Sequence, residues 1–407
     1  MRLLGPDDHV VVVGAGLAGW RLVEALRRDA YTGSITLIGD ESYAPYDRPP
    51  LTKQVLSGKW PPEHTTLATA ERIENSGVDM RLGASATGLD VDATTVYLGN
   101  ATRVQGTHVV VATGARARRL ALSADSATHT IRTRRDLEAL DRDLSRLDAG
   151  SRVVVIGGGF IGAEAATSLR ARGFAPIVLE ALERPLLNVV GPEISSWLAG
   201  LAEAIGVELR VGQRIRDVVV DESAGGLRVL FEDGDGLAAP LVIEAVGVVP
   251  NDGWLASSGL AIDGGVVVDE HLLAGERVAA LGDVARFTWR GPAGYERVRI
   301  EHWQNANDHA LALARYWATG ESTGPFVPYF WSDQYGKKIQ MLGHPRPDDD
   351  VARVSGDDSK WVALLSRDGV VTGVVALGQP RALMLSRGLL VEPTFLDAAV
   401  AAAPWSS

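Results

Sequence analysis

The stretch VVVIGGGFIGAEAA, residues 153–166, decides the fold of this chain. An apolar run is followed by glycines at positions 157, 159 and 162, in the spacing GxGxxG, and then by residues that favour a helix. In such a turn the first glycine permits the tight bend, the second lets a pyrophosphate approach the backbone, and the third lets helix and strand pack closely. The stretch therefore predicts a strand, a dinucleotide-binding turn and the start of a helix.

A second copy of this pattern, VVVVGAGLAG, covers residues 10–19. Asp40 and Glu41 follow the next apolar run, at the distance where an acidic residue binds a ribose hydroxyl. Glu180 holds the corresponding place after the stretch at 153–166. A carboxylate there accepts from a 2′-hydroxyl and repels a 2′-phosphate, which favours NAD over NADP. Arg184 lies four residues later and leaves residual use of NADP open.

Short apolar runs alternate with helical periodicity from residue 10 to residue 179. Continuous apolar runs of this length are typical of strands buried on both faces of a parallel sheet. The pattern predicts an α/β fold with two Rossmann-like dinucleotide-binding domains, and the strand-like segments after residue 325 predict a C-terminal α+β domain. The predicted strands are Val10–Val13, Ile35–Ile38, Val109–Val111, Val153–Ile156, Ile177–Leu179, Gln340–Leu342, Val362–Leu365 and Val370–Ala376, and the predicted helices include Trp20–Arg28 and Ala163–Arg172.

Composition excludes several classes of function. The net charge of −11 over 407 residues argues against a nucleic-acid-binding protein, which needs clustered Lys and Arg. The sequence lacks an apolar run of membrane-spanning length and a signal-peptide pattern, so we expect a cytoplasmic protein that does not bind membranes. The eight histidines show no metal-ligand spacing, and we predict no metal site. The absence of cysteine excludes disulfides, thiolate metal sites and cysteine nucleophiles.

Three further segments resemble the flavoprotein disulfide reductase superfamily, which binds two dinucleotides in a glutathione-reductase-like fold. They are HVVVATGARARRL at 108–120, LVIEAVGVVPN at 241–251 and VAALGDVARF at 278–287. The resemblance implies FAD in the first glycine turn and the nicotinamide cofactor in the second. Because the members that reduce disulfides or peroxides need redox cysteines, this chain must pass its electrons to an external acceptor.

Two stretches narrow the resemblance to the oxygenase-coupled ferredoxin reductases. PYDRPPLTK at 45–53 is similar to a PY-x-RPPLSK segment of that family, and YFWSDQYG at 329–336 is similar to its FWSDQ signature. The resemblance implies a protein that passes electrons from NADH through FAD to a [2Fe–2S] ferredoxin, which serves a cytochrome P450 or a Rieske oxygenase. For the oligomeric state, a monomer is the simplest expectation. The resemblance also implies a discontinuous FAD domain at 1–116 and 247–324, an inserted NAD(H) domain at 117–246, and a C-terminal domain at 325–407.

The cofactor contacts implied by the resemblance fall on matching positions of this sequence. Those for FAD are Gly14, Gly16, Ala18, Gly19, Asp40, Glu41, Arg48, Lys53, Ala86, Ala112, Thr113, Gly114, Arg132, Asp283 and Trp303. Those for NAD(H) are Gly157, Gly159, Phe160, Ile161, Gly162, Glu164, Glu180 and Gly247.

Catalytic roles are implied for Lys53 beside flavin N5, Glu164 near the nicotinamide carboxamide, and Trp331 over the isoalloxazine edge. We expect Lys53 and Glu164 to pair. A helix from Trp303 is expected to direct its positive N-terminus at the flavin. Structural alternatives stay open: Glu164 stabilising its own helix, Lys53 in a solvated loop, and Trp331 as an ordinary core residue.

The adjacent Lys337 and Lys338 are expected to contribute to docking an acidic ferredoxin, with a solvated turn as the alternative. Other functions also remain open at this level. One is a rubredoxin reductase or a diaphorase with other acceptors. The other is a redox-sensing interaction protein similar to apoptosis-inducing factor.

Overall fold

The structure is a computed structural model that describes residues 3–323 and 326–402. The chain forms two compact units. The first contains Met1–Asp47, Thr65–Arg116 and Val249–Phe330, and the second contains Arg48–His64, Ala117–Val248 and Trp331–Ser407. The predicted boundary at residues 324 and 325, and residues 403–407 of the predicted C-terminal domain, lie outside the described residues. The limits of the three predicted domains remain predictions.

The first unit is built on a parallel five-stranded sheet. Its central strand, His9–Val13, consists almost entirely of valine, and residues 10–13 are at most 2% exposed. Such burial on both faces explains why the strand is a continuous apolar run rather than an alternating one. The order of the sheet is Val278–Ala280, His108–Val111, His9–Val13, Ser34–Ile38 and Asp79–Arg81.

The helices Leu17–Arg28 and Trp303–Thr319 pack against each other in the first unit. Both contribute buried tryptophans, Trp20 and Trp317, to its core. The first unit also contains the helix Ala70–Ser76, the antiparallel strands Ala86–Asp90, Thr95–Leu98 and Arg103–Gln105, and the sheet of Val266–Val267, Ala285–Gly291 and Gly294–Val298.

The second unit contains another parallel five-stranded sheet. Its central strand, Arg152–Ile156, leads through a glycine turn into the helix Phe160–Ala171. The order of this sheet is Glu208–Arg210, Ala175–Leu179, Arg152–Ile156, Leu241–Glu244 and His129–Thr130. It is accompanied by the helices Arg134–Leu144 and Leu187–Ala199 and by the antiparallel strands Ile215–Asp221, Gly226–Phe231 and Gly236–Ala239.

The C-terminal part has a five-stranded sheet. In the order of the strands across this sheet, the second to the fifth pair antiparallel with their neighbours. Trp361 of this sheet is fully buried, and its ring centroid lies 5.0 Å from that of Trp197 on the helix Leu187–Ala199. The order is Tyr329–Gln334, Lys337–Gly343, Val370–Leu377, Trp361–Arg367 and Asp350–Gly356, followed by the helices Pro380–Leu385 and Leu396–Ala401.

All eight strands predicted from apolar segments are present. The two predicted helices begin three residues earlier than expected, at Leu17 and Phe160, because each starts directly at its glycine turn. Two short strands, Ala115–Ala117 and Val248–Pro250, contain two of the five points at which the chain passes from one unit to the other. Within the described residues, no helix is both long and apolar enough to cross a membrane.

Candidate functional site

The first glycine turn requires glycine at two of its positions for steric reasons. Gly14 has φ +124°, and a Cβ atom there would lie 2.1 Å from the carbonyl oxygen of Ala112. A Cβ on Gly19 would lie 2.0 Å from the oxygen of Gly14. At Gly16, by contrast, no heavy atom among the described residues lies within 4 Å of a Cβ position. The backbone is therefore tightly packed on one side and open at Gly16, where the helix begins.

Two other predicted FAD segments converge on this turn within the first unit. Ala112 packs against Gly14, and a Cβ on Gly282 would lie 3.0 Å from the side chain of Ala18. The loop after Ala112 is held by Asn251, which donates from its side chain to the oxygen of Thr113 at 3.0 Å and from its backbone to the oxygen of Gly114 at 2.9 Å. Asn251 belongs to the VVPN segment and had been assigned no role from the sequence.

The turn that carries Asp283 is supported from behind by a histidine. His309 is fully buried, and its Nδ1 atom accepts a hydrogen bond from the backbone N–H of Gly282 at 3.3 Å. Burial lowers the pKa of His309 to about 3, so the ring stays neutral and can accept this bond. His309 is therefore a structural support for the turn that carries Asp283, one of the predicted FAD contacts.

Trp303 begins the helix Trp303–Thr319, as predicted, and its indole Nε1 donates to Oδ1 of Asp47 at 2.6 Å. Burial raises the pKa of Asp47, an effect that the hydrogen bond from Trp303 partly opposes. Asp47 lies inside the PYDRPPLTK stretch but was not singled out from the sequence. Gln304, the second residue of this helix, donates from its side chain to Oδ1 of Asp308 one turn later, at 2.8 Å.

The remaining predicted FAD residues are distributed over both units. Ala86 begins a strand of the first unit and is half-buried. Arg48, Lys53 and Arg132 belong to the second unit, where the guanidinium of Arg48 donates to the backbone oxygen of Arg132 at 2.6 Å.

The second glycine turn repeats the geometry of the first. A Cβ on Gly157 would lie 2.4 Å from the oxygen of Ala245, and one on Gly162 would lie 1.9 Å from the oxygen of Gly157. The position of a Cβ on Gly159 is free of described heavy atoms to 4 Å. Phe160 and Ile161 form the first helical turn, and Gly247, with φ +96°, accepts a hydrogen bond from the backbone N–H of Arg118 at 2.9 Å.

The two turns differ in how they place their acidic residue. Gly14 donates to the oxygen of Ile38, and Gly157 donates to that of Leu179, so Gly39 and Glu180 hold equivalent positions. A Cβ on Gly39 would lie 2.7 Å from that of Ala15.

In the second turn Gly158 replaces this alanine and leaves room for Glu180. The Glu180 carboxylate accepts from the backbone N–H of Gly158 and of Leu182, both at 2.8 Å. In the first turn the acids lie further along: Asp40 is exposed, and Glu41 accepts from the hydroxyl of Tyr46 at 2.7 Å.

Glu164 is the centre of a buried polar cluster in the second unit. It is 4% exposed, and its Oε2 atom accepts from Nζ of Lys53 at 2.8 Å, which is the predicted ion pair. The same oxygen accepts from the hydroxyl of Thr52 at 2.6 Å. Its Oε1 atom accepts from the hydroxyl of Ser332 at 2.6 Å and from the backbone N–H of Asp333 at 3.3 Å.

Thr52 and Ser332 are functional candidates that sequence reasoning missed, although both lie in the stretches PPLTK and FWSDQ. Trp331, next to Ser332, is half-buried in the strand Tyr329–Gln334. Lys337 and Lys338 begin the following strand. Lys338 is exposed, with Nζ 3.4 Å from Oδ1 of Asp333, and Lys337 donates to the backbone oxygen of Ser359 at 3.3 Å.

Comparison with known proteins agrees with this geometry. The family model described as pyridine nucleotide-disulphide oxidoreductase matches residues 8–310, and the model described as reductase C-terminal matches residues 329–407. The chain belongs to the pyridine nucleotide-disulphide oxidoreductase family. The predicted fold class is confirmed by this membership and by the parallel sheets of both units.

Members similar to this chain include named components of oxygenase systems. The ferredoxin reductase component of a chlorobenzene dioxygenase from Cupriavidus sp. (strain PS12) is 35% identical, over 95% of each chain. Rhodocoxin reductase from Rhodococcus erythropolis is 35% identical, over 94% of this chain and 89% of its own length. A solved covalent complex of putidaredoxin reductase with putidaredoxin contains a chain that matches with a TM-score of 0.89, at 30% identity, over 95% of this chain and 94% of that one. These relatives confirm the resemblance to oxygenase-coupled ferredoxin reductases.

Membership of this family implies FAD and NAD(H), and the residues present fit both groups. Each glycine turn leaves open space at its second glycine, where a pyrophosphate approaches the backbone. Each turn leads into a helix whose N-cap residue is a glycine without a capping side chain, as judged from the described residues. The unsatisfied N–H groups and the positive end of the helix dipole are suited to a phosphate.

Proposed function

We propose that this chain is an NADH-dependent ferredoxin reductase. It takes electrons from NADH through FAD and passes them to a [2Fe–2S] ferredoxin that serves a cytochrome P450 or a Rieske oxygenase. One observation carries the proposal: a member of a disulphide oxidoreductase family has two complete dinucleotide turns but no cysteine in 407 residues. Since the chain has no thiol to reduce, its electrons go to an external acceptor. The names of its relatives support a ferredoxin as that acceptor.

The FAD site consists of the first glycine turn together with Ala112–Gly114 and Asp283. FAD, when bound, supplies the acceptance of hydride and the release of single electrons. Gly14, Gly16 and Gly19 let the backbone and the helix N-terminus bind the pyrophosphate. The helix that begins at Trp303 presents a second positive N-terminus, and the bond from Trp303 to Asp47 fixes its first residue.

The NADH site consists of the second glycine turn and Glu180. Glu180 already accepts two backbone N–H groups, and each carboxylate oxygen retains a lone pair for a ribose hydroxyl. A 2′-phosphate at this place would meet the negative charge of Glu180 directly. The site therefore favours NADH over NADPH.

Lys53 and Trp331 are assigned to the redox-active end of the site. The side chain of Lys53 is only 12% exposed, and its ammonium group is held by Glu164 at 2.8 Å. A fixed cation in such surroundings stabilises developing negative charge. Trp331, half-buried beside Ser332, is assigned to shaping the nicotinamide pocket.

Lys337 and Lys338 are assigned to docking of the ferredoxin, and the protein is proposed to act as a monomer. Complementary charge between lysines and an acidic partner accelerates association in a salt-dependent way. The monomer is supported by the fact that one chain supplies all the residues assigned to both dinucleotide sites. Size-exclusion chromatography with light scattering at micromolar concentration tests the oligomeric state.

The deciding experiment is NADH-driven reduction of cytochrome c, with and without a panel of [2Fe–2S] ferredoxins. We expect rates to rise steeply with at least one ferredoxin and to fall when NADPH replaces NADH. Bleaching of the flavin by NADH, with rates indifferent to every ferredoxin and restored by rubredoxin or a dye, would indicate a rubredoxin reductase or a diaphorase. A stable reduced state without turnover on any acceptor would indicate a redox sensor.

A further inference from the structure

Glu244 is a buried acid at the carboxyl end of the strand Leu241–Glu244 in the second unit. Its side chain is 0% exposed. The strand pairs in parallel with the central strand Arg152–Ile156, and Glu244 lies opposite Ile156, the residue before Gly157. Glu244 is not among the cofactor contacts implied by the family resemblance, although it stands directly beside the second glycine turn.

This edge of the sheet is a topological switch point. From the central strand the chain passes through the helix Phe160–Ala171 to the strand Ala175–Leu179 on one side, whereas Leu241–Glu244 lies on the other side. Ligands of open parallel sheets bind outside the carboxyl ends of the strands at such a point. Glu180, on the first side, is assigned to the adenosine ribose. A dinucleotide that crosses the turn therefore extends its nicotinamide half towards the backbone after Glu244.

The carboxylate of Glu244 binds two residues of the segment 119–128. Its Oε2 atom accepts from the backbone N–H of Leu120 at 2.6 Å, and its Oε1 atom accepts from the hydroxyl of Thr128 at 2.6 Å. The guanidinium of Arg119 lies 3.5 Å from Oε1 and donates to the hydroxyl of Thr128 at 2.9 Å. The segment is thus closed on one buried carboxylate, with Arg119 as the counter-ion.

The same segment also holds the backbone after Glu244. The backbone N–H of Arg118, two residues before Leu120, donates to the oxygen of Gly247 at 2.9 Å. On the opposite edge, the N–H of Ala245 donates to the central strand at 2.7 Å. Gly247 is exposed, and no described heavy atom lies within 4 Å of its Cβ position. The backbone from Ala245 to Gly247 is therefore fixed at both edges and open on one face.

Stability of the sheet does not require an acid at this place. Val242, two residues earlier on the same face of the strand, packs in a core with Val154. An apolar side chain in place of a buried ion pair is often as stable or more stable, because no charge has to be desolvated. The acid is better explained by the partners that it fixes, since Thr128 and Leu120 would otherwise lose their acceptor.

We propose that Glu244, with Arg119 as its counter-ion, is a positioning residue of the NADH site. It acts through the backbone from Ala245 to Gly247, which it fixes in the conformation that binds the nicotinamide half of the nucleotide. The inference rests on the proposed function only in that the second glycine turn binds NADH, and the identity of the electron acceptor does not enter.

The first test measures binding without turnover. FAD-loaded protein is titrated by calorimetry with tetrahydro-NAD, an NADH analogue that cannot donate hydride, and with ADP-ribose, which lacks the nicotinamide. We expect Glu244→Leu to raise the Kd for tetrahydro-NAD about tenfold, as the loss of buried hydrogen bonds predicts, and to change the Kd for ADP-ribose less than about twofold. Glu244→Gln keeps an acceptor for Leu120 and should restore most of the affinity. Equal losses for both ligands, or no loss for either, would overturn the proposal.

A matched control removes another buried acid of the same unit. Asp349 has a side chain that is 0% exposed, and its carboxylate accepts from Arg367 at 2.9 Å and from the hydroxyl of Thr372 at 2.7 Å. Asp349→Asn should therefore lower the urea midpoint and leave both Kd values unchanged. A selective loss of tetrahydro-NAD in this variant would show that general destabilisation is sufficient, and would overturn the proposal.

The counter-ion gives a test that does not depend on Glu244→Leu folding. Arg119→Met leaves a buried charge uncompensated and should raise the Kd for tetrahydro-NAD, with a smaller effect in the Glu244→Gln background, where no charge remains. Hydrogen exchange reports the local step: the amides of Arg118 and Leu120 should exchange faster in Arg119→Met than in wild type. Additive changes in Kd together with unchanged exchange would overturn the role of the pair.

These outcomes are separable from failure of the proposed function. If no ferredoxin accepts electrons, a selective loss of tetrahydro-NAD in Glu244→Leu still supports the positioning role. If ferredoxin turnover is found but the Glu244 variants bind both ligands like wild type, the proposed function stands and the positioning role is rejected. A wild-type protein that binds neither ligand would overturn both.

Discussion

The carboxylate of Glu180 accepts a 2.8 Å hydrogen bond from the backbone N–H of Gly158, inside the second glycine turn. A Cβ on Gly158 would lie 3.0 Å from Oε2 and 3.1 Å from Cβ of Glu180. The first turn has the reverse arrangement, with a side chain at Ala15 and none at Gly39. The residue between the first two glycines of each motif therefore decides whether an acid can stand directly at the end of the neighbouring strand.

We expect Gly158→Ala to raise the Kd for NADH and to reduce the preference for NADH over NADPH, because the new methyl group displaces Glu180. Glu180→Ala should reduce the preference by about tenfold or more, since the repulsion of a 2′-phosphate is removed. Steady-state kinetics with both nucleotides measure the effect. Gly200→Ala is the control, as its Cβ position has no described heavy atom within 4 Å. An unchanged preference in both variants would reject this role of Glu180.

The first two glycines of the first turn, Gly14 and Gly16, should respond differently to substitution. Gly14→Ala introduces a Cβ 2.1 Å from the oxygen of Ala112 at φ +124°, so it should lower the free energy of unfolding by about 2–4 kcal/mol. Gly16→Val enters open space and should leave the protein stripped of FAD as stable as wild type, while its affinity for FAD falls about tenfold or more. Urea denaturation and the ratio of flavin to protein absorbance measure the two effects. Normal FAD content in Gly16→Val would show that the pyrophosphate does not approach here.

His309 should make stability depend on pH below neutrality. Its ordinary pKa of 6.5 is lowered to about 3 by burial, so between these values the unfolded chain binds a proton that the folded chain does not. The free energy of unfolding should therefore fall as the pH drops from 6.5, by up to about 1.4 kcal/mol per unit, and should not depend on His309 above 6.5.

His309→Asn keeps a side-chain acceptor for the N–H of Gly282 and should flatten this part of the profile. Urea midpoints at pH 5, 6 and 7 compare it with wild type, and His64→Asn, at an exposed position, is the control. If the free energy of unfolding falls with pH equally in wild type and in His309→Asn, the lowered pKa of His309 is not the cause of the pH dependence.

Lys337 and Lys338 should influence only the reaction with ferredoxin. Replacing both by alanine is expected to raise KM for ferredoxin about threefold to tenfold at low ionic strength, with a smaller effect at high salt, because exposed charges are screened. NADH–ferricyanide activity should stay unchanged. Lys59→Ala removes an exposed lysine outside this pair and serves as the control. Salt-independent ferredoxin kinetics in the double variant and in wild type would assign these lysines to a solvated turn.

Much of the fold was predictable because its determinants are local. The strands around the two glycine turns are continuous apolar runs, and the last glycine of each motif is required by a contact inside the motif, as between Gly19 and Gly14. The first glycine of each is confined by a residue far along the chain, Ala112 or Ala245, but the motif spacing already marks it. The helix starts were placed three residues late, since periodicity reports the buried face of a helix rather than its first turn.

The candidate site was only partly predictable for the opposite reason. The pairing of Lys53 with Glu164 was predicted from resemblance, but the contributions of Thr52 and Ser332 were not. Hydroxyl residues are common in turns and strands, and nothing in their local sequence marks a buried acceptor. Asp47 and His309 were missed likewise, because their partners Trp303 and Gly282 lie far along the chain or on another element.

By itself, the sequence determined that this protein has two dinucleotide turns, because they depend on glycines at fixed spacings, and that it has no thiol chemistry, because it contains no cysteine. Only the tertiary structure decided what Glu164 contacts. Its donors Thr52 and Ser332 lie 112 and 168 residues away along the chain. Folding brings them within 2.6 Å of one carboxylate, and burial makes each of those bonds costly to break.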